Sequence, residues 1–459
     1  MYMKKLSLLL LLLFLGFDVI SQRVYKKPKF VKNWSKPGKH PDHIVLNFSD
    51  DPSTSISVTW RTSKEIKIGY GEIALSAPNP AFISTANTIR ANTTNLKFDN
   101  VVGVIDRKNP KKTTFNSLDH NYHSVTFKNL KPNTMYGYRV GDGEIWSEWI
   151  QFKTAKKVGE PFSFLYVGDA QNYILELWSR LIREGYKKAP TASFIIHAGD
   201  LINDAHEEHQ WHEWFMAGGW IHRSLPSIPV PGNHEYNPQI QNDIDEGIKR
   251  LSLQWNNQFT LPDNGVEGIK ETNYYLDYQG VRFIALNSNI LIEEQAKWLE
   301  KVLSDNPNKW TIATYHHPIF SASRGRDNEI LRGLWKPLFD KYNVDLALQG
   351  HDHTYTRGRV EPYEVNLVDG ENLQDITGTV YVVSVSGGKM YKVKPGWEDY
   401  EALRDRVGNN KQLFQVISVD GDKLTYKSYT ATGELFDAFD LIKNENGVNS
   451  FVERKNEAL

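Results

Sequence analysis

The chain has 459 residues, of which 40% are hydrophobic and 24% charged, with a formal net charge of −1 and no cysteine. That length supports one large core and a second smaller one, so two domains are expected. The missing cysteines exclude disulfide staples, thiol chemistry and a lipid-modified N-terminal cysteine, and the balanced charge, without long single-sign runs, leaves no nucleic-acid or membrane-surface footprint.

At the N-terminus Lys4 and Lys5 precede an apolar run from Leu6 to Phe17, and Val19-Ile20-Ser21 offers small residues near a cleavage point. This reads as a secretory signal peptide over 1–21, with a mature start near Gln22 and a secreted or periplasmic destination. The run is too short to span a bilayer, and no later run approaches the roughly 20 residues a membrane helix needs. Asn33, Asn47 and Asn92 begin weak N-x-S/T patterns. Residues 22–40, rich in Lys, Pro and Gly, read as a leader or linker.

From Ile44 to about Phe152 short alternating runs such as Ile56-Ser57-Val58-Thr59-Trp60 and Tyr136-Gly137-Tyr138-Arg139-Val140 predict a small β-sandwich over 41–156. After Lys153-Thr154-Ala155-Lys156-Lys157 the period changes. A strand at Phe162–Val167, a helix at Ile174–Tyr186 with Leu175, Trp178, Leu181 and Ile182 inward, and a strand at Ala192–His197 predict a parallel sheet. Val281–Leu286, Trp310–Thr314 and Val344–Leu348 are expected to continue it, and Val380–Val385, Phe414–Val419 and Lys423–Tyr429 to close a second domain over 157–459.

Nearly every strand end in that second domain carries a metal-ligand residue type. In order these are Gly168-Asp169-Ala170-Gln171, Gly199-Asp200-Leu201-Ile202-Asn203, Gly232-Asn233-His234-Glu235, Tyr315-His316-His317-Pro318 and Gly350-His351-Asp352-His353. Hard di- or trivalent ions take carboxylate oxygens and neutral imidazoles, and one carboxylate can bridge two ions. Ligands at the carboxyl ends of parallel strands face one crevice. Glycines ahead of four blocks are read as sharp turns that leave room for ions and phosphate.

Trp60 and the run Leu130-Lys131-Pro132-Asn133-Thr134-Met135-Tyr136 resemble the fibronectin type III pattern, with Tyr136 closing a tyrosine corner. The five blocks resemble the calcineurin-like metallophosphoesterases, and their order after such a sandwich resembles the purple acid phosphatases. The resemblance implies an N-terminal all-β sandwich plus an α/β/β/α four-layer metallophosphoesterase domain. It implies two metal ions per subunit (Fe, Zn or Mn), with Asp169 and His353 on the first, Asp200 bridging, and Asn233, His316 and His351 on the second. His234 would protonate the leaving group or stabilise its charge.

The pattern departs from the family at two places. Asn203 stands where purple acid phosphatases place a tyrosinate, and Gln171 where other metallophosphoesterases place a histidine. Either is expected to ligate weakly through its amide oxygen, and the protein is not expected to be purple. The family's Tyr-Glu-Arg reads Tyr355-Thr356-Arg357 here.

The implied activity is secreted, metal-dependent hydrolysis of phosphomonoesters, with a small phosphate ester as partner. A phosphodiesterase or nucleotide pyrophosphatase on the same centre is one alternative, and a non-catalytic glycan- or surface-binding protein is another. His317, within the fourth block, is read as lining the pocket, and Arg324 and Arg326 follow that block closely enough to meet an anionic substrate. His206, His209 and His212, spaced by three, are read as a polar helix face packed through Trp211 and Trp214 rather than a third metal site, and His197 as a residue beside the sheet.

Overall fold

The structure, a computed structural model, describes residues 34–106, 109–323, 325–360, 374–394, 397, 400, 402–445 and 447–454. The expected signal peptide, most of the leader, Asn33 and Arg324 lie outside the described residues. The alternating runs of the N-terminal part form β1 (Asp42–Asn47), β2 (Ile56–Ser63), β3 (Tyr70–Leu75), β4 (Asn87–Arg90), β5 (Asn92–Val102), β6 (Phe115–Phe127), β7 (Met135–Gly141) and β8 (Ile150–Lys153). They make two layers, β1-β2-β6-β5 and β4-β3-β7-β8. Trp60 is fully buried between them. The Tyr136 hydroxyl accepts the Lys131 amide at 2.8 Å, which is the expected tyrosine corner.

In the second part, β9 (Phe162–Val167), β10 (Ile195–His197) and β11 (Ser227–Pro229) pair in parallel. After a two-residue hairpin at Tyr236–Asn237 and Arg250–Leu251 (β12, β13) come β14 (Tyr274–Tyr278), β15 (Val281–Ala285), β16 (Trp310–Tyr315) and β17 (Leu346–Gln349). Then follow β18 (Tyr355–Val360), β19 (Gln374–Thr377), β20 (Val380–Val383), β21 (Ala402–Gly408), β22 (Leu413–Asp420), β23 (Lys423–Thr430), β24 (Leu435–Lys443) and β25 (Asn449–Glu453).

β15, β16 and β17 do not continue the β9–β11 sheet. With β20 they form the parallel centre of a separate seven-stranded sheet, β14-β15-β16-β17-β20-β18-β21. The reason is that both edges of the β9–β11 trio are already taken. β22 pairs antiparallel with β9, and β1 pairs in parallel with β11 at Asn47 and Ser227. The result is one twelve-stranded sheet, β19-β25-β24-β23-β22-β9-β10-β11-β1-β2-β6-β5, that runs from the second part into the N-terminal sandwich. Asn47 is fully buried at this joint and donates to the Ser227 carbonyl at 2.8 Å, so it is closed to glycosylation, whereas Asn92 is exposed.

The two large sheets face each other. Phe164 and Phe283 meet edge to face at 5.3 Å, and the Tyr166 hydroxyl donates to the Gln349 carbonyl across the gap. Helices α1 (Ser179–Lys188) and α2 (Glu208–Gly218) cover the first sheet, with Trp214 of α2 at 5.3 Å from His197 of β10. Helices α3 (Ile292–Ser304) and α4 (Glu329–Lys341) cover the second, where Leu299, Trp335 and Phe339 pack with Ile284, Ala313 and Ala347. This is the expected α/β/β/α order. The residues described from Pro37 onward form one compact unit.

The helix expected at Ile174 opens with a π-turn over Ile174–Trp178 before α1 begins. The wide turn inserts one residue per hydrogen-bonded ring relative to an α-helix. Ile174 and Trp178 therefore face inward together, and Leu175, expected inside, is only half-buried. Among the described residues no helix is long and apolar enough to cross a membrane.

Candidate metal centre

All five sequence blocks sit in loops that leave carboxyl ends of strands. Asp169 follows β9, Asp200 follows β10, Asn233 and His234 follow β11, His316 and His317 follow β16, and His351 and His353 follow β17. Both sheets contribute, so the loops meet at one shared end. The glycines do less turning than their positions suggest: of the four that precede ligands, only Gly199 has positive φ, at +83°. The ligands themselves take the left-handed region, at 54° for Asp169, 52° for Asp200, 74° for His351 and 52° for His353. Gly232 and Gly350 instead serve by size, since a Cβ on either would collide with the carboxylate of Asp200 or Asp169 respectively.

The candidate ligands form two neighbouring clusters, Asp169 with Asp200 and His353, and His316 with His317 and His351. Within each, the ligand atoms lie within 4.8 Å of one another. They are linked through Asp200, whose Oδ2 lies 3.2 Å from His316 Nε2. Asn233 Oδ1 stands 3.3 Å from that same Nε2, and His351 Nδ1 3.1 Å from it. Two rings are pinned from behind: His316 Nδ1 donates to the Ala198 carbonyl and His353 Nδ1 to the Lys389 carbonyl, each at 2.9 Å. This pinning directs Nε2 toward the carboxylates, where its electron pair can serve a metal ion held between them.

The electrostatics ask for cations. Asp169 and Asp200 are buried side by side, and among the described residues no lysine or arginine pairs with either. Burial, reinforced by Asp200, holds the Asp169 carboxyl well above its ordinary range. Burial opposes charge on Asp200 too, but His316 and His234 outweigh it and hold that carboxyl low. His316, despite burial, is raised to about 9 by Asp200 and Asp169. The donor set, two carboxylates with imidazoles and an amide oxygen, fits hard or borderline metal ions.

Comparison with known proteins agrees with this geometry. Residues 41–154 match the purple acid phosphatase N-terminal domain, and residues 162–355 match the calcineurin-like phosphoesterase domain. The chain thus combines a domain like the purple acid phosphatase N-terminal domain with a calcineurin-like phosphoesterase domain, and it spans about three fifths of the length of the first of the curated relatives it matches. It is 28% identical over 293 residues to Fe(3+)-Zn(2+) purple acid phosphatase 12 of Arabidopsis thaliana, an alignment spanning 60% of this chain and 61% of that protein. It is 26% identical to acid phosphatase type 7 of Mus musculus over 77% of this chain and 79% of that one. Purple acid phosphatase PPD1 from yellow lupin shares the fold, with a TM-score of 0.68 at 20% identity over 89% of this chain and 75% of that one.

In this purple acid phosphatase-like chain neither substitute ligand is placed as the sequence suggests. Gln171 turns its amide nitrogen to Asp200 Oδ2 at 2.5 Å, while its oxygen accepts from Asn172 at 3.1 Å. The Asn203 side chain donates to Asp204 at 2.9 Å, away from the ligands. Its backbone carbonyl instead accepts from His234 Nδ1 at 2.6 Å, and the His234 amide donates to Asp200 Oδ1 at 2.9 Å. Arg326 donates to the His351 carbonyl and stacks 4.9 Å over Tyr391, so it braces a ligand loop. His317 Nδ1 shares a 2.8 Å hydrogen bond with Ser288 Oγ.

Glu235, in the third block, carries a role that its sequence position does not assign. Fully buried, it accepts the amides of Gly232, Asp200, Leu201 and Ile202 at 2.6, 2.9, 2.8 and 3.3 Å, and so ties the Asp200 loop to the Asn233 loop. An acid two residues after a ligand was the visible signal. His206, His209 and His212 do not converge: they meet the Asn237 carbonyl, Glu213 and His43 respectively. A third group, Asp42 with His43 and His212, has ligand-type atoms within 4.8 Å of one another. It already holds a cation, because Arg61 grips Asp42 at 2.6–2.8 Å and lies 3.3 Å from His212 Nδ1.

Proposed function

We propose that the chain is a phosphatase that hydrolyses phosphomonoesters at a two-metal centre. Asp169 and His353 would hold one ion, Asn233, His316 and His351 the other, and Asp200 would bridge them. The observation that carries this reading is the pair of buried carboxylates with, among the described residues, no lysine or arginine partner, faced by imidazoles pinned to backbone carbonyls. When bound, such cations supply Lewis acidity, which neutralises phosphate oxygens and acidifies water to a nucleophile at accessible pH.

The chain's own groups do the rest. His234, held through Nδ1 by the Asn203 carbonyl, keeps Nε2 for the substrate, where it serves as acid to the departing oxygen or stabilises its charge. The Gln171 amide holds Asp200 from the side facing His353. With Asn203 in place of a phenolate, the first site lacks an anionic ligand that favours Fe(III), so iron, zinc and manganese all suit it and no purple colour is expected. The basic and apolar N-terminal run supports a secreted or periplasmic enzyme.

The test is phosphate release from an aryl phosphomonoester and a matching diester by metal-analysed protein, beside Asp200→Ala. Monoester turnover by protein holding about two metals, lost together with bound metal in the variant, supports the assignment. Preference for the diester moves it to phosphodiesterase, and metal-free, inactive protein overturns it.

A further inference from the structure

A cavity of about 630 Å³ opens beside the proposed metal centre, with Asn233 and His317 on its inner wall. Its outer wall is built from isoleucines on two elements, Ile290 and Ile292 around the start of α3 and Ile330 in the first turn of α4. Ile290 is 38% and Ile330 67% exposed, and large apolar side chains facing water beside a reactive centre mark a surface that something covers.

The polar residues around the cavity are largely committed elsewhere. Ser288 Oγ is bonded to His317. The amide of Asn289 donates to the Pro231 carbonyl at 3.1 Å, and that of Asn328 to the Pro318 carbonyl at 2.8 Å. Among the described residues the charges at the rim are two carboxylates, Asp327 and Glu329, and the ammonium of Lys249. Asp327 is paired with Arg332 at 2.7 Å.

We propose that this cavity is the leaving-group subsite and selects phosphomonoesters of uncharged aryl alcohols. This rests on the hydrolytic reading above: water adds across the phosphorus–oxygen bond and releases the aryl alcohol and inorganic phosphate. A sugar or polyol leaving group would strip water from its hydroxyls and find most amide donors already used. With Asp327 neutralised by Arg332, the rim sets Lys249 against Glu329 and offers a polyphosphate leaving group no surplus of positive charge among the described residues. An aromatic ring loses nothing by desolvation and covers the isoleucines.

Metal-loaded protein is titrated calorimetrically with 1-naphthylphosphonate and methylphosphonate, which share a headgroup and differ in the ring. In parallel, kcat/KM is measured for 1-naphthyl phosphate and glycerol phosphate. The wild type should favour the naphthyl member of each pair by at least about tenfold, and Ile290→Ser and Ile330→Ser, at exposed positions with unchanged melting temperature, should each erase much of that preference. Equal binding of the two phosphonates, binding of neither, or an undiminished preference in both variants overturns the subsite. Naphthylphosphonate preference without turnover of any phosphate ester leaves the subsite standing and overturns the hydrolase reading instead.

Discussion

Four of the six proposed ligands stand in the left-handed φ region, which side chains other than glycine adopt only when their surroundings hold them there. At Asp200 Glu235 supplies that restraint, because its carboxylate is the shared acceptor for the amides of Asp200 and Leu201 and for that of Gly232 before Asn233. Glu235→Gln keeps the shape but turns an NH₂ group toward amide donors. It should cost about 1–3 kcal/mol for each buried amide left without an acceptor, read as a lower denaturant midpoint, and it should lower bound metal at fixed free-metal concentration. The ligand blocks themselves were legible, since their chemistry lies in residue identity and spacing. The Asn203 carbonyl that holds His234 was not, because every residue has a carbonyl and only the fold decides which one is used.

The elements show the same division between what is local and what is not. Strand positions in the second domain follow from local apolar runs, and β16, β22 and β23 lie within a residue of their expected bounds. Which sheet each strand joins depends on which edges are free, and no local pattern carries that. Arg357 illustrates the gap. From sequence it is only the residue after the departure at Thr356, with no role of its own, yet on β18 it is fully buried and joins the two sheets through Asp437 of β24 at 2.7 Å and Glu453 of β25 at 2.8 Å. Asp405 of β21 adds a further contact at 3.1 Å. Arg357→Met removes the charge while keeping much of the volume, and leaves Asp437 buried without its main partner. A loss of about 3–5 kcal/mol is expected, measurable by urea unfolding with little change in the residual protein's substrate preference.

For the whole molecule, buried histidines set the response to acid. Burial lowers His123, His206 and His212 to about 4 and His222 to about 3, so the folded chain resists protons that the unfolded chain accepts near 6.5. With depressed folded values, stability is full above the unfolded pKa and falls as pH drops from about 6.5 toward 4. Glu235 and Glu271, raised to about 7 by burial, and Asp352, raised to about 6, work the other way, but the histidines, with His43 and His197 also held well below their ordinary value by burial, outnumber them. The melting temperature should therefore decline over this window. His222→Phe, which keeps the stack on Trp214 at 4.0 Å, should flatten the decline by about one proton, or about 1.4 kcal/mol per pH unit. An unchanged slope would remove His222 from the set. The continuous twelve-stranded sheet has a different consequence, for the order in which a chain can acquire its shape. A polypeptide leaves the ribosome from its N-terminus, so β1 is made long before β11, the strand that covers its edge. Until Ser227 arrives, the newborn sandwich carries an open edge, and the loop that leads to Asn233 and His234 reaches its place as that seam closes.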